Sequence, residues 1–277
     1  MAVVLALCSA ATYGVGDFFG GLATRRASAP AVVLWSHVVG LILLLLGALP
    51  VGGHAGAGDI AAGVVGGLAG AAGVGLLYRA LSIGTMSVVA PTTALLAASV
   101  PVLAGVVDGE RPGALTALGM LAGLLAIVLV SAEGGRRRRP ADSTAFVLAL
   151  AAGLGFGLFF VALSTTGDDS GLWPLVGART ASVSVLGILA VTGRIASAVP
   201  VGPVRWHTAI AGALDGIANL FYLLAIREGL LSVVSVLAAL YPVTTVLLAH
   251  LVLGERLGPV QRVGLALALP ATALIAL

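Results

Sequence analysis

The chain has 277 residues, of which 60% are hydrophobic and only 9% are charged, and its mean hydropathy is +1.15. A soluble domain needs a charged exterior, so this composition excludes a soluble globular protein and indicates a chain that lies in the lipid bilayer. The net charge of +3 resides in short arginine clusters without interleaved aromatic side chains, which argues against a nucleic-acid partner.

Apolar runs of about 20 residues, long enough to cross the hydrocarbon core, occur ten times along the chain. In the first half they predict membrane helices over 2–22, 31–51, 60–81, 86–107 and 114–132. In the second half they predict helices over 145–165, 172–191, 207–226, 232–253 and 259–277. We therefore predict an all-α integral membrane protein with domains at 1–132 and 144–277, joined by a polar, basic linker at 133–143.

The two halves repeat each other. At a shift of 145 residues, 77–113 falls on 222–258 without a gap, and the triplet at 109–111 (Gly-Glu-Arg) meets the same triplet at 254–256. The opening helices of the halves match at a shift of 143. A repeat with an odd number of spans enters the membrane from opposite sides in its two copies. The pattern thus predicts ten transmembrane helices as two inverted five-helix repeats, an arrangement typical of secondary transporters.

These features resemble the EamA-type domain of the drug/metabolite transporter superfamily over essentially the whole chain. The matching features are the two triplets, Gly119 and Gly264 in the helices that follow them, the prolines Pro91, Pro101 and Pro242, and the aromatic-glycine segment 13–18. The resemblance implies a ten-helix, multi-pass carrier of small solutes in the cell membrane, often an exporter.

Two arguments about orientation disagree. The family usually keeps both termini in the cytoplasm, which would put Arg25, Arg26 and the four arginines at 136–139 outside the cell. The positive-inside rule places those basic loops in the cytoplasm and the termini outside. The sequence leaves this question open.

Ionisable side chains within membrane helices are costly, so each is a functional hypothesis. Asp17 lies in the first helix with Tyr13 one turn before it, and its carboxylate could exchange a proton for a solute that carries an amine. The alternative is an aspartate near a helix end that pairs with Arg25 or caps a loop.

Asp215, Asn219 and Tyr222 form one polar stripe in the eighth helix, at i, i+4 and i+7. Such a stripe faces a water-filled cavity or joins helices by hydrogen bonds.

Basic residues occupy similar depths in the second helix of each half, and the family often has one there. Arg179 needs a carboxylate or carbonyl partner, for which Asp215 is a candidate. His37 either faces the cavity or forms its hydrogen bonds in the protein interior. Tyr241 in the ninth helix either lines the solute path or has only a packing role between helices.

The predicted function is secondary transport of a small polar metabolite, amino acid or amine by alternating access, with protons as the candidate coupling ion and export as the candidate direction. The alternative is a membrane scaffold or receptor without transport. The sequence has no phosphate-binding loop, no His-Glu-x-x-His and no Gly-x-Ser-x-Gly motif, so we expect neither ATP hydrolysis nor an enzyme, and neither a cofactor nor a metal. A monomer and a homodimer are both compatible with the duplication.

Overall fold

The computed structural model describes residues 1–130 and 140–277, in which all regular secondary structure is helical. The helices are α1 (Ala2–Thr24), α2 (Ala29–Val51), α3 (Ala57–Ile83), α4 (Met86–Val107), α5 (Ala114–Val130), α6 (Pro140–Ser164), α7 (Trp173–Val191), α8 (Pro203–Glu228), α9 (Leu231–Ala238), α10 (Tyr241–Leu253) and α11 (Pro259–Ala276). The four arginines at 136–139 lie outside the described residues.

Ten spans account for these helices. In the described part of the chain, nine segments are long and apolar enough to cross a membrane, and α5 is a shorter apolar helix. Helices α9 and α10 together make one of the nine, over Leu231–Leu253. The predicted fold class, an all-α membrane protein with ten transmembrane helices, is confirmed.

The ninth span differs from the single helix predicted over 232–253. It is broken at Ala239 and Leu240, and Pro242 stands in the first turn of α10. Proline has no N–H to donate to a carbonyl one turn earlier, so a helix readily ends just before it. The prolines inside α4, by contrast, leave that helix continuous, so the repeats differ at this point.

The two halves pack mainly on each other. Helix α1 crosses α8, its repeat counterpart α6 crosses α3, and α5 pairs with its own counterpart α11. Gly119 in α5 leaves no room for a Cβ atom beside Ala271, and Gly264 in α11 leaves none beside Ala126. The two contacts are equivalent, because Gly264 lies 145 positions after Gly119 and Ala271 lies 145 positions after Ala126. The inverted repeats are therefore related by an approximate twofold axis that exchanges these helices.

Charged side chains divide between the two faces of the bundle. Of the side chains that the structure describes, one face (the arginine face) carries Glu255 with Arg25, Arg26, Arg79, Arg194, Arg205, Arg256 and Arg262. The opposite face (the acidic face), where both termini lie, carries Arg111 and Arg227 with Asp59, Asp108, Glu110, Asp168, Asp169 and Glu228. Contacts join loops within each face: Arg25 pairs with Glu255 at 3.6 Å, and the Asp59 carboxylate accepts the N–H of Gly167 at 2.7 Å.

Glu110 of the first Gly-Glu-Arg triplet ties the two halves together. Its carboxylate accepts the backbone N–H groups of Leu231 at 2.6 Å and of Ser232 at 2.9 Å, which open α9 in the other repeat. A carboxylate at a helix N-terminus satisfies free N–H groups and favourably meets the helix dipole. Glu255 in the second triplet instead faces Arg25.

We expect Glu110→Ala to lower the free energy of unfolding by about 1 kcal/mol, the usual cost of losing a helix cap. Arg111→Ala is the matched control, because Arg111 is the exposed neighbour in the same triplet. Unfolding in mixed detergent micelles would measure both. Equal stability of the two variants would contradict the capping role.

We predict that the arginine face is cytoplasmic and that both termini lie outside, since arginine-rich loops stay on the cytoplasmic side. In a Cys8→Ser background, Ala57→Cys places a thiol on the acidic face and Ala198→Cys places one on the arginine face, both at exposed positions. A membrane-impermeant maleimide should label the first variant in intact cells and the second only after permeabilisation. The reverse pattern would support the orientation that is usual in the family.

Candidate functional site

A cavity lies near mid-depth of the bundle, between helices contributed by both halves. Helices α1, α3, α4, α6, α7, α8 and α10 all contribute to its lining. Its accessible volume is about 30 Å³, so the cavity is nearly closed in this conformation. Six of the eight side chains that the sequence singles out line it: Tyr13, Asp17, Arg179, Asp215, Asn219 and Tyr241. The structure thus brings together residues that are more than 200 positions apart in the chain.

A chain of hydrogen bonds orders one side of this cavity. The hydroxyl of Tyr13 in α1 donates to Oδ1 of Asn219 in α8 at 2.6 Å. The side-chain amide of Asn219 then donates to the backbone carbonyl of Asp215 at 2.7 Å. Because Asn219 is almost fully buried, these bonds hold its amide in one orientation at the crossing of the two helices.

Arg179 and Asp215 form a buried ion pair across the same wall. Nη2 of Arg179 in α7 contacts Oδ2 of Asp215 in α8, and the side chains are only 10% and 19% exposed. The pairing that the sequence suggested is confirmed. The guanidinium charge of Arg179 is therefore already balanced by a protein carboxylate.

Asp17 is the second carboxylate of the cavity. It lies in α1, one turn from Tyr13 on the same helix face. Within the described part of the chain, its side chain makes neither a hydrogen bond nor an ion pair. The alternative partner considered from the sequence, Arg25, pairs with Glu255 instead. The cavity therefore presents one carboxylate that no cation of the described residues balances.

The opposite side of the cavity is apolar and was not foreseen from the sequence. Phe156, Phe159 and Phe160 of α6 line it together with the small residues Gly67 and Gly70 of α3. Gly70 gives the Phe159 ring room, since a Cβ atom added there would lie 3.3 Å from the ring, whereas Gly67 makes room for the backbone of Ala178. A solute in the cavity would thus meet polar groups on one side and aromatic rings on the other.

The internal repeat contains a signal that could have identified this apolar wall. The register between the halves pairs Tyr13 with Phe156, Asp17 with Phe160, Asp215 with Gly70 and Asn219 with Val74. All four counterparts line the cavity. The two walls are therefore repeat copies of each other that have diverged, so that one is polar and the other apolar.

Two of the predicted site residues lie outside the cavity lining. Nδ1 of His37 is 2.9 Å from the hydroxyl of Ser182, at a contact between α2 and α7, and His37 is 1% exposed. The ring of Tyr222 stacks on Phe160 at 4.1 Å between centroids, and its hydroxyl bonds that of Ser235 at 2.8 Å. Tyr222 supports the aromatic wall from behind rather than facing the cavity.

Tyr241 lines the cavity at the break between α9 and α10. Its hydroxyl donates to the backbone carbonyl of Ala90 in α4 at 3.1 Å, and its ring lies 6.4 Å from that of Tyr13. The residue thus joins the fourth and ninth spans across the two repeats. Among the described residues, no three His, Cys, Asp or Glu side chains gather as a metal site would require.

Comparison with known proteins identifies the family. The model of the EamA-like transporter family matches residues 1–132 and 143–277. The chain belongs to this family. It is a multi-pass membrane transporter of the drug/metabolite type, and its partners are the lipid bilayer and a small-molecule substrate.

A solved structure shares the fold. It is described as "Crystal structure of protein" and superposes with a TM-score of 0.73 at 18% sequence identity, over 99% of this chain and 95% of the other. At that identity the likeness concerns the fold alone. Comparison with curated proteins gives no match.

We expect Asp215→Asn and Arg179→Gln each to destabilise the protein, because each leaves one buried charge without its partner. In protein interiors such a loss costs about 3–5 kcal/mol. The double variant should recover much of this loss, since it removes both charges and keeps polar groups of similar shape. Thermal unfolding in detergent, followed by tryptophan fluorescence, would measure the cycle. Strictly additive losses in the double variant would contradict the coupling.

Proposed function

We propose that the protein exchanges protons for a small solute that carries an amine, by alternating access through the central cavity. The observation that carries the proposal is the Asp17 carboxylate, which faces this cavity without a cationic partner in the described part of the chain. The proposal narrows the predicted range of metabolites, amino acids and amines to those with a protonated nitrogen.

The charge balance of the cavity supports a cationic group at Asp17. Arg179 and Asp215 neutralise each other, so Asp17 contributes the uncompensated charge. An isolated carboxylate within the membrane is unfavourable unless it binds a proton or a cation. Because one carboxylate cannot hold both at once, a proton and an ammonium group compete for it, and this competition couples their movement in opposite directions.

The aromatic wall supports a solute with an apolar part. When an ammonium group pairs with Asp17, the rest of the molecule lies toward Phe156, Phe159 and Phe160. Aromatic faces attract cations and bury aliphatic or aromatic groups. Amines and amino acids with an apolar side chain therefore fit the cavity better than sugars do.

The inverted repeats support alternating access. The cavity lies between helices that the approximate twofold axis exchanges, so a conformation that opens on one face has a counterpart that opens on the other. In that scheme, a proton gradient directed into the cell would drive the solute outward, which agrees with the predicted direction of export.

The test is proton flux in proteoliposomes that enclose a pH-sensitive dye. We expect amines or amino acids with apolar side chains to drive a proton flux through the wild-type protein, and sugars to drive none. Asp17→Asn should abolish this flux, because an amide binds neither the proton nor the ammonium group.

Asp108→Asn is the matched control, since it makes the same change at an exposed position on the acidic face and should retain the flux. Wild-type flux through Asp17→Asn would overturn the role of this carboxylate. If the wild type shows counterflow of labelled solute without proton movement, the protein is a facilitator and the coupled mechanism is wrong.

A further inference from the structure

A second, lateral groove lies between α2, α3 and α7. Its accessible volume is about 490 Å³, and its lining is almost wholly apolar, with Pro30, Val33, Leu68, Leu76, Val185 and Leu189 among the larger side chains. Leu68 is 39% exposed and Val185 43% exposed, so the groove opens on the outer surface of the bundle. That surface faces the hydrocarbon of the bilayer.

The chemistry of the groove does not suit a polar solute. Its two polar side chains are Ser182 and Arg79. The hydroxyl of Ser182, at the inner end, already bonds His37 and the carbonyl of Arg179. An occupant therefore meets only apolar surface until it reaches Arg79 at the outer end, and a hydrocarbon chain fits this lining.

The length of the groove matches one leaflet of a bilayer. From Leu68 to Arg79 it follows eleven residues of α3, which is about 16 Å at 1.5 Å per residue. Half of a hydrocarbon core is about 15 Å thick. The inner end of the groove thus lies near the midplane, and Arg79 lies near the headgroups, one turn before α3 ends at Ile83.

Arg79 supplies the charge that selects the headgroup. Its side chain is exposed, and in the part of the chain that the structure describes it makes neither a hydrogen bond nor an ion pair. It belongs to the arginine face. Among the described side chains of that face, the acidic one is Glu255, which already pairs with Arg25. An arginine in this position favours an anionic phosphate group over a zwitterionic headgroup.

We propose that this groove binds an anionic phospholipid of the leaflet on the arginine face. One acyl chain lies between α3 and α7, and the phosphate meets the guanidinium of Arg79. The groove and the central cavity share the lining residue Ala71. The lipid therefore packs against the helix that carries part of the apolar wall of the cavity, and its presence braces α3.

Gly75 offers a way to block the groove without disturbing the fold. It lines the groove, and a Cβ atom added there would meet nothing within 4 Å. Gly75→Leu should therefore fill the space of the acyl chain. Arg79→Gln removes only the charge, and Arg205→Gln is its control, because Arg205 is another exposed arginine of the same face.

The experiment is native mass spectrometry of the purified full chain in detergent, titrated with phosphatidylglycerol or with phosphatidylcholine. We expect the wild type and Arg205→Gln to retain one phosphatidylglycerol with preference over phosphatidylcholine. Arg79→Gln should reduce that preference about fivefold, the share of one interfacial arginine. Gly75→Leu should lose the bound lipid of either kind.

Three results would overturn the proposal. The first is that Gly75→Leu retains phosphatidylglycerol as the wild type does, and the second is that Arg79→Gln keeps the full preference for it. The third is a dimer that Gly75→Leu dissociates, because the groove would then be covered by a second copy of the chain. The same spectra distinguish lipid from protein by mass.

Discussion

The structure depends on the packing of helices from one half against helices from the other. The five helices of one repeat pack mainly on helices of the other repeat. Helix α1 packs on α8 of the other half, and α6 packs on α3. The approximate twofold axis makes these crossings equivalent, and the cavity lies between them. In hydrocarbon, apolar burial does not drive helices together, so close contact of small residues holds them. Gly119 and Gly264 provide such contact at equivalent places on either side of the axis.

Upon this symmetric backbone the side chains are asymmetric. The wall built by α1 and α8 is polar, and the equivalent wall built by α6 and α3 is apolar. The pairing of Arg179 with Asp215 concentrates the remaining charge of the cavity on Asp17. A symmetric cavity would offer the same groups in two places, whereas this one offers the Arg179–Asp215 pair and the Asp17 carboxylate on one wall and a cluster of phenyl rings on the other.

The two repeats also differ in the contacts that join the halves at the ends of the bundle. Of the two Gly-Glu-Arg triplets, the first caps α9 across the repeats through Glu110, and the second meets Arg25 through Glu255. Helix α4 is continuous, while its counterpart is divided into α9 and α10 beside Tyr241. The acidic face thus has a helix cap between the two halves, and the arginine face has a partly exposed ion pair between them, which are contacts of different strength.

The sequence by itself determined the ten spans, the inverted duplication, the family and most of the polar residues of the cavity. Hydrocarbon forces every backbone polar group into helices, and a charge at depth is costly enough to stand out. The pairing of Arg179 with Asp215 could be suggested for the same reason. Only the tertiary structure decided that Phe159 faces the cavity and that Tyr222 and His37 do not. Phenylalanines face lipid, protein or a cavity equally well, so composition carries no signal for them, and the helix crossings alone fix where each ring lies.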